Sequence, residues 1–219
     1  MKKYIPLLKE TRLFAGINEN DIHTMLECLQ AELMTYPKEA CILRQGGTLH
    51  HILLLAEGKL HIQKDDYWGN RSIINIIHAG EMFGESYAAS ENGAVLSDVI
   101  ATEPSAVISF DIKKLLTACP SACPFHARLI QNLFFVISEK NRKLVQKLDH
   151  MSRRTTREKL ISYLSAEART QGRNPFRIPF NRQQLADFLS VDRSALSAEL
   201  GKMREEGLLS FHKNKFQLY

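Results

Sequence analysis

The clearest pattern of apolar and polar positions lies near the carboxyl end, in residues 181–207. Apolar residues recur there in two short runs, first Leu185, Ala186 and Leu189 and then Leu196, Leu200 and Met203. Residues three and four apart share one face of a helix, so each run predicts a helix with one buried face. Since only a few residues separate the two runs, we predict a tight pair of helices.

Polar residues at the ends of these runs predict where the two helices begin and end. Asn181 is a suitable N-cap, and Gln184 three residues later completes a capping box. Asp192 caps the second helix, and Gly207 suits the left-handed residue that commonly follows a helix. The outward positions of the second helix are short or cationic, so this helix can enter a major groove. These features predict a helix-turn-helix, with an ordinary helical hairpin as the alternative.

Between about residue 34 and residue 110 the apolar residues recur in short runs rich in Val, Ile and Leu. These runs are residues 41–43, 51–55, 60–62, 72–77, 99–101 and 106–110. Glycine-containing turns separate them, which predicts an antiparallel β-roll of the jelly-roll or double-stranded β-helix type. The segment before the roll, residues 10–34, is predicted as one or two short helices. Strands and helices do not alternate along this part of the chain, which argues against a doubly wound nucleotide-binding fold.

A longer helical pattern covers about residues 125–148. Apolar residues and one asparagine recur there at heptad spacing: Ile130, Phe134, Ile137, Asn141, Leu144 and Leu148. About three heptads of this kind predict a parallel homodimer in which Asn141 sets the register. Packing of the helix on its own domain is the alternative.

The rest of the chain completes an α+β architecture of three segments. Residues 149–152 are predicted as a hinge, and residues 155–170 as a helix with Leu160, Ile161 and Leu164 facing inward. After Gly207, residues 208–211 and 216–219 alternate as a hairpin, which makes the helix-turn-helix a winged one. We predict an effector-sensing roll in residues 1–118, a dimerisation helix and hinge in residues 119–150, and a DNA-binding domain in residues 151–219.

The charge is distributed unevenly along the 219 residues. Residues 1–148 contain sixteen Lys and Arg against sixteen Asp and Glu, whereas residues 149–219 contain thirteen against eight. The whole excess of +5 therefore lies with the predicted DNA-binding domain, as a phosphate-binding surface requires. The predicted contacts are Arg182, Arg193, Ser194, Ser197, Ala198, Lys202, Lys213 and Lys215. A solvated basic face without a partner is the alternative.

The chain shows no signal-peptide pattern at its start and no apolar run of membrane-spanning length. Four cysteines in a chain of this size do not form a disulfide framework. We therefore predict a cytoplasmic protein with no membrane partner.

The order of these parts resembles the CRP/FNR family of bacterial transcription regulators. The most specific pieces are the GEMFGE segment, residues 80–85, and residues 181–209. The resemblance implies a homodimer on a palindromic operator, a small effector, and RNA polymerase as a further partner. Many members carry an acidic residue and a Ser-Arg pair in the recognition helix. Here Ser194, Ser197 and Ala198 occupy those positions, so we expect a different operator, with Arg193 as the main contact.

The resemblance also implies an effector pocket at Gly84, Glu85, Ser86, Leu96 and Ser97. Members that bind cyclic AMP follow their Gly-Glu pair, about ten residues on, with an arginine that pairs with the cyclic phosphate. Leu96 and Ser97 stand there instead, and no Lys or Arg occurs between Arg71 and Lys113. Because a buried phosphate without a cation is unfavourable, we predict that cyclic AMP is not the effector.

Candidates for metal or cofactor chemistry are few and leave the cofactor unidentified. A weak metal or redox site is formed by Cys119, Cys123 and His126, with buried structural thiols as the alternative. Cys28 and Cys41 are too isolated for an iron–sulfur cluster and are predicted as core residues. His78 and His126 are candidate axial ligands of a haem.

A protein of another class, a cupin-like metal- or ligand-binding roll, is suggested by His50, His51, His61 and Glu57. Neighbours on a strand point to opposite faces, so His50 and His51 cannot both line one cavity. No nucleophile elbow, phosphate loop or zinc motif occurs either. We predict that the chain is not an enzyme. A cupin-like binder or a dimeric adaptor without regulatory DNA binding remains the alternative.

Overall fold

The structure, a computed structural model, describes every residue except 66, 68–70 and 117–123. The chain divides into two compact units, Met1–Ile137 and Ser138–Tyr219. None of the described helices combines the length and the apolar character that crossing a membrane requires.

Short helices precede the roll, as predicted. They are 3₁₀ turns at Lys2–Tyr4 and Arg12–Phe14 and the α-helices α1, Ile5–Glu10, and α2, Glu19–Cys28. The Asn18 side chain caps α2 by accepting a hydrogen bond from the Asp21 backbone N–H at 3.0 Å. The apolar face of α2 then packs into the core through Ile22, Met25 and Leu26.

Within the described residues, the roll consists of eight strands in two antiparallel sheets. They are β1 (Glu32–Tyr36), β2 (Cys41–Leu43), β3 (His51–Glu57), β4 (Lys59–Asp65), β5 (Arg71–His78), β6 (Met82–Phe83), β7 (Asp98–Ala101) and β8 (Ser105–Asp111). The sheet orders are β1-β8-β3-β6 and β2-β7-β4-β5. All six predicted runs are strands, and the predicted antiparallel roll is confirmed. The short helices α3, Glu85–Ala88, and α4, Ile112–Leu116, interrupt and follow the strands.

The central strands β3 and β8 are buried on both faces. Ile52 and Leu54 of β3 face the amino-terminal helices, whereas Leu53 and Leu55 face the second sheet. Their side chains belong to two separate apolar clusters because successive strand residues point to opposite faces. This double burial explains why the β3 sequence is a continuous apolar run and does not alternate.

The long helix α5 extends over Pro124–Ser152, further than predicted. Residues 149–152 are helical, so the prediction of a hinge there is wrong, and the chain leaves the helix at residues 153–155. Helix α6, Thr156–Gln171, begins with a capping box between Thr155 and Glu158. Its buried residues include Tyr163 but not Ile161, which is 44% exposed, so the inward placement of Ile161 is wrong.

The remaining elements form the carboxyl-terminal part of the second unit. They are β9 (Phe176–Arg177), α7 (Arg182–Leu189), α8 (Arg193–Glu205), β10 (Leu209–His212) and β11 (Lys215–Leu218). The strands make an antiparallel sheet in the order β10-β11-β9, which is the predicted hairpin with β9 added at one edge. One apolar cluster joins α6, α7, α8 and this sheet.

Candidate nucleic-acid interface

The helix pair α7–α8 is capped as its sequence predicts. The Asn181 side chain accepts from the Gln184 N–H, and the Gln184 side chain accepts from the Asn181 N–H, both at 2.9 Å. Asp192 Oδ1 accepts from the Ala195 N–H at 2.9 Å. Gly207, at φ +74°, lets the chain turn away from α8. These bonds fix the ends of both helices.

The turn between α7 and α8 contains a left-handed residue that the sequence pattern did not indicate. Ser190 has φ +51°, and the Val191 N–H bonds to the Ala186 carbonyl at 3.0 Å. Val191 is half-buried against the unit's core, which agrees with its predicted place inside the turn. From α6, Lys159 Nζ donates to the carbonyl oxygens of Leu189 at 3.1 Å and Ser190 at 3.4 Å. The cation lies at the negative end of α7.

An ion-pair network anchors α8 to α6, and sequence spacing gave no signal for it. The Arg157 guanidinium binds Glu206 through two hydrogen bonds of 2.8 and 2.7 Å and also donates to Glu199 at 2.5 Å. These bonds raise the pKa of Arg157 and lower that of Glu206. A planar guanidinium joined to two carboxylates fixes geometry better than a single surface pair does. The outward face of α8 is therefore held in a defined orientation.

That outward face carries the predicted contact residues of α8. Arg193, Ser194, Ser197, Ala198 and Lys202 are all exposed. Gly201 lies on the same side, and a methyl group added there would meet no atom within 4 Å. Within the described part of the chain, neither Arg193 nor Lys202 takes part in an ion pair. The face is smooth and positively charged.

Arg182 lies in a different environment from the other predicted contacts. Its guanidinium carbon is 4.6 Å from the ring centroid of Phe211 and 5.1 Å from that of Phe216. Burial lowers its pKa. The side chain therefore packs α7 against the wing through cation–π contacts. A contact of Arg182 with DNA stays a prediction.

The wing turn presents the other two predicted cations. Lys213 adopts φ +53°, and both Lys213 and Lys215 are exposed. Asn214, between them, is tied to the segment before α7. Its carbonyl accepts from the Ile178 N–H at 3.0 Å, and its side-chain amide donates to the Ile178 carbonyl at 3.1 Å.

The five residues of the predicted effector pocket differ in exposure. Ser97 and the Glu85 Oε2 atom are buried, whereas Ser86 is exposed and Leu96 is 63% exposed. Gly84 has φ +78°, and a Cβ there would lie 2.6 Å from Leu49 Cδ2, so both conformation and space require glycine.

The space between the two sheets of the roll is filled by apolar side chains. The buried cluster there contains Leu49, Leu53, Leu55, Leu60, Ile77, Phe83, Val95, Val99, Ala101 and Val107.

The candidate metal and haem ligands are only partly described. Cys119 and Cys123 lie outside the described residues. His126 is buried, and its Nε2 lies 3.0 Å from the Lys114 carbonyl oxygen. A carbonyl can only accept, so Nε2 carries the proton in this contact. No group of three His, Cys, Asp or Glu side chains suited to hold a metal occurs within the described ranges.

The other residues singled out for cofactor chemistry lie nearer the surface. His78 is exposed. Cys28 and Cys41 are only half-buried, so their predicted placement in the core is not borne out in full. The Cys41 thiol donates to the Leu43 carbonyl oxygen at 3.2 Å.

Comparison with known families assigns both units. Residues 33–121 match the family described as "Cyclic nucleotide-binding domain". Residues 158–218 match the family described as "Crp-like helix-turn-helix domain". Together the matches cover about two thirds of the chain.

Relatives over nearly the whole chain agree with this assignment. The "Cyclic AMP receptor protein" of Thermus thermophilus is 24% identical over 204 residues, which are 92% of this chain and 89% of that protein. The solved structure of CprK complexed with OCPA shares the fold, with a TM-score of 0.68, 15% identity, and coverage of 89% of this chain and 91% of that one. The c-di-GMP responsive regulator CLP of Xanthomonas campestris gives a TM-score of 0.61, 15% identity, and coverage of 92% and 99%.

The two family matches, together with the fold, define a transcription regulator with a β-roll of the cyclic-nucleotide-binding type and a winged helix-turn-helix. The helix-turn-helix domain implies DNA binding. The chain belongs to the CRP/FNR family, whose members are regulators and not enzymes.

Proposed function

We propose that the protein acts as a homodimer that binds a palindromic operator, with α8 of each subunit in the major groove of one half-site. The observation that carries this proposal is the exposed face of α8. It presents small and cationic side chains, and the caps and the Arg157 network fix its orientation. Arg193 is the first residue of α8, the end of a recognition helix that contacts base edges.

The charge of the second unit supports this proposal. Ser138–Tyr219 contains seventeen Lys and Arg against nine Asp and Glu. Such an excess attracts the phosphate backbone and accounts for non-specific affinity, whereas base contacts supply the sequence preference. Two-fold symmetry then places the half-sites about 34 Å apart.

The seam of α5 supports the dimer. Apolar side chains at the heptad positions are exposed in the single chain: Ile130 36%, Phe134 69%, Ile137 40%, Leu144 56% and Leu148 56%. Asn141 is exposed as well. A parallel partner helix would bury this stripe, and Asn141 would pair with its counterpart and set the register.

We propose an effector other than cyclic AMP for the roll. The space between the sheets holds apolar side chains, and Leu96, where the cyclic-AMP-binding members place an arginine, is largely exposed. The relatives named above respond to different small molecules by their printed names, so the fold alone does not determine the ligand. A regulator on promoter DNA acts on transcription through RNA polymerase, which we propose as the further partner.

The first experiment tests the operator. Full-length protein is used to select bound sequences from random DNA, and the enriched duplex becomes the probe for Arg193→Ala. Removing one good contact of about 1–3 kcal/mol should weaken binding by roughly 5- to 150-fold for each half-site. The variant should also select a different sequence. Arg44→Ala, an exposed arginine of the first unit, is the matched control. An unchanged affinity and sequence preference for Arg193→Ala would remove Arg193 from the interface.

The second experiment tests the effector. Titration of cyclic AMP into the full-length protein in a calorimeter should give no binding heat, and adding it should not change affinity for the selected operator. The substitution Leu96→Arg tests whether the missing cation explains the lack of binding, since arginine supplies the positive charge with which a cyclic phosphate pairs. Saturable binding of cyclic AMP to the unaltered protein would contradict this proposal.

A further inference from the structure

The wing sheet carries a basic row that extends from the wing turn to the edge strand β9. In the antiparallel register, His212 of β10 lies opposite Lys215 of β11, and Lys215 lies opposite Arg177 of β9. Residues opposite each other in register point to the same face of a sheet. All three side chains are exposed, so they form one row across the three strands.

The neighbouring row explains why this one faces outward. Phe211, Phe216 and Phe176 are opposite one another in the same register. Their rings contact along the row, with centroids 5.8 Å apart for Phe211–Phe216 and 6.2 Å apart for Phe176–Phe216. Phe176 and Phe216 are fully buried in the core. Because successive strand residues alternate between faces, burying the aromatic row places the basic row on the opposite face.

A cleft of about 380 Å³ lies at the β9 edge of this row. It is lined by Arg173, Pro175, Phe176, Arg177 and Lys215. Three of these five residues are cationic and none is acidic. Within the described part of the second unit, the ion pairs involve none of these three cations.

Like charges on directly opposite strand residues are destabilising. Lys215 and Arg177 are such a pair, and within the described part of the second unit neither forms an ion pair. An anion bound across the row would offset the repulsion. This arrangement therefore favours a surface that is completed by a negatively charged partner.

The segment that carries the two arginines is already fixed in place. Gln171 Nε2 donates to the Arg177 carbonyl at 2.6 Å, and Gln171 Oε1 accepts from Arg173 Nη2 at 3.3 Å. Asn174 is joined to Leu218 by two hydrogen bonds, of 2.6 Å from its side-chain amide and 3.0 Å from the Leu218 N–H. A backbone held on both sides loses little freedom when a ligand binds.

We propose that Arg173, Arg177 and His212 join Lys215, already a predicted contact, in a second contact with the DNA backbone that extends beyond the recognition helix and the tip of the wing. Strands lie about 4.8 Å apart, so the row is roughly 10 Å long. One DNA strand presents about three phosphates over that length of helix axis. This inference rests on the proposed function and enlarges the interface to the far edge of the wing sheet.

The test compares Arg173→Gln/Arg177→Gln with Arg12→Gln/Arg44→Gln, which removes the same charge from exposed arginines of the first unit. The probes are the operator selected by the unaltered protein and a duplex of random sequence. We expect the first variant to lose affinity for both duplexes, with the slope of log affinity against log salt reduced by about 0.9 for each phosphate that is no longer neutralised. The control should match the unaltered protein.

Two further measurements separate a backbone contact from other effects. Phosphate contacts carry no sequence information, so the sequence selected by the first variant should be unchanged, unlike that of Arg193→Ala. Hydroxyl-radical footprinting, which reports the protection of the sugar–phosphate backbone, should show weaker protection next to the wing sheet and unchanged protection elsewhere. Arg177→Lys should restore part of the affinity, and thermal unfolding of Arg177→Gln should show no loss of stability because a like-charge pair is removed.

The outcomes separate the two proposals. If the unaltered protein selects no sequence and binds neither duplex, the proposed function fails, and this inference fails with it. If the unaltered protein binds its operator but Arg173→Gln/Arg177→Gln keeps its affinity, salt slope and footprint, only the second contact is overturned. An equal loss in the control variant would likewise overturn it, since net charge alone would then explain the effect.

Discussion

At the scale of one residue, Gly201 makes the helix α8 less stable but leaves its outward face free of a side chain at this position. It lies inside an exposed helix, where glycine is less favourable than alanine by about 1 kcal/mol. No atom would lie within 4 Å of an added methyl group, so packing in the free protein does not require glycine. Its neighbours on the same face are Ser194, Ser197 and Ala198, all short. The remaining explanation for the glycine is that it keeps the space in front of this face free of side-chain atoms.

We expect Gly201→Ala to raise the free energy of unfolding by about 0.5–1 kcal/mol, because the helix gains propensity without a clash. The same variant should bind the selected operator more weakly, since the methyl group projects from the face that enters the groove. Chemical denaturation and binding to the selected duplex measure the two effects. Gly201→Ser gives a second small side chain for comparison. A gain in stability with unchanged binding would place Gly201 outside the DNA interface.

Single residues also show where sequence patterns stop being informative. The capping residues Asn181 and Asp192 were predictable because their bonding partners lie three residues away. Ile161 follows the helical period of its neighbours but is exposed, while Tyr163 takes the buried position. Arg182 was predicted only as a DNA contact because the aromatic rings it covers are about 30 residues further along the chain. Contacts between distant residues have no local signature.

At the scale of elements, the predicted strands were those whose burial on one or both faces made them strongly apolar. The strand β1 was missed because its residues are only half-buried or exposed and its sequence continues a helical pattern. The strand β6 has two residues, too few to show any period. The predicted position of the break between α5 and α6 was also wrong, because no glycine or proline marks the break in the sequence. The Arg157 network that joins α6 to α8 spans more than 40 residues and was invisible for the same reason.

The end of α5 is held to α6 by a buried histidine. His150 Nδ1 lies 2.8 Å from Ser162 Oγ, and its ring packs edge-on against Tyr163. Burial lowers the pKa of His150 below its ordinary 6.5, although nearby Asp149 and Glu167 act in the opposite direction and Arg153 in the same one. The neutral imidazole is therefore the form that fits this junction.

We expect this histidine to destabilise the protein in acid. As the pH falls below about 6.5, the unfolded chain binds a proton at this residue before the folded chain does, so the free energy of unfolding falls until the pH passes the folded pKa. His150→Asn keeps a polar group near Ser162 and cannot titrate, so its loss of stability between about pH 7.5 and pH 5.5 should be smaller. Denaturant unfolding of the full chain measures both. The pKa of His61 is also lowered by burial. His61→Asn therefore serves as a comparison that shows how much of the pH dependence comes from a second histidine of this kind. An identical pH dependence in His150→Asn and the unaltered protein would contradict the prediction.

At the scale of the whole molecule, the order of units was predictable because each has its own period. Strand-like runs, one long heptad pattern and a capped helix pair follow one another without overlap. What binds in the roll was not predictable in the same way. The predicted pocket residues lie close together in the sequence, within residues 84–97, but they do not identify a ligand. The buried cluster between the sheets shows only that its interior is apolar. The dimer could be predicted in part. The heptad pattern indicates which face of α5 forms the seam, but the partner helix belongs to a second chain.

Two neighbouring phenylalanines of α5 test the proposed dimer. Phe134 lies on the seam, whereas Phe135 lies one position off it, and the two are almost equally exposed, at 69% and 67%. Burying one phenylalanine contributes about 1.5–3 kcal/mol, and a symmetric dimer buries two copies. Phe134→Arg should therefore raise the dimer dissociation constant by roughly 100-fold or more, and it should weaken operator binding because two half-sites must be engaged together.

Phe135→Arg is the matched control, since it removes the same exposed ring and adds the same charge outside the seam. Sedimentation velocity at several protein concentrations should show monomer for Phe134→Arg where Phe135→Arg is still dimeric. On half-site DNA, by contrast, the two variants should bind alike, because one subunit suffices for one half-site. A dimer that survives Phe134→Arg but not Phe135→Arg would move the interface to the adjacent face of α5 and change the register in which Asn141 pairs.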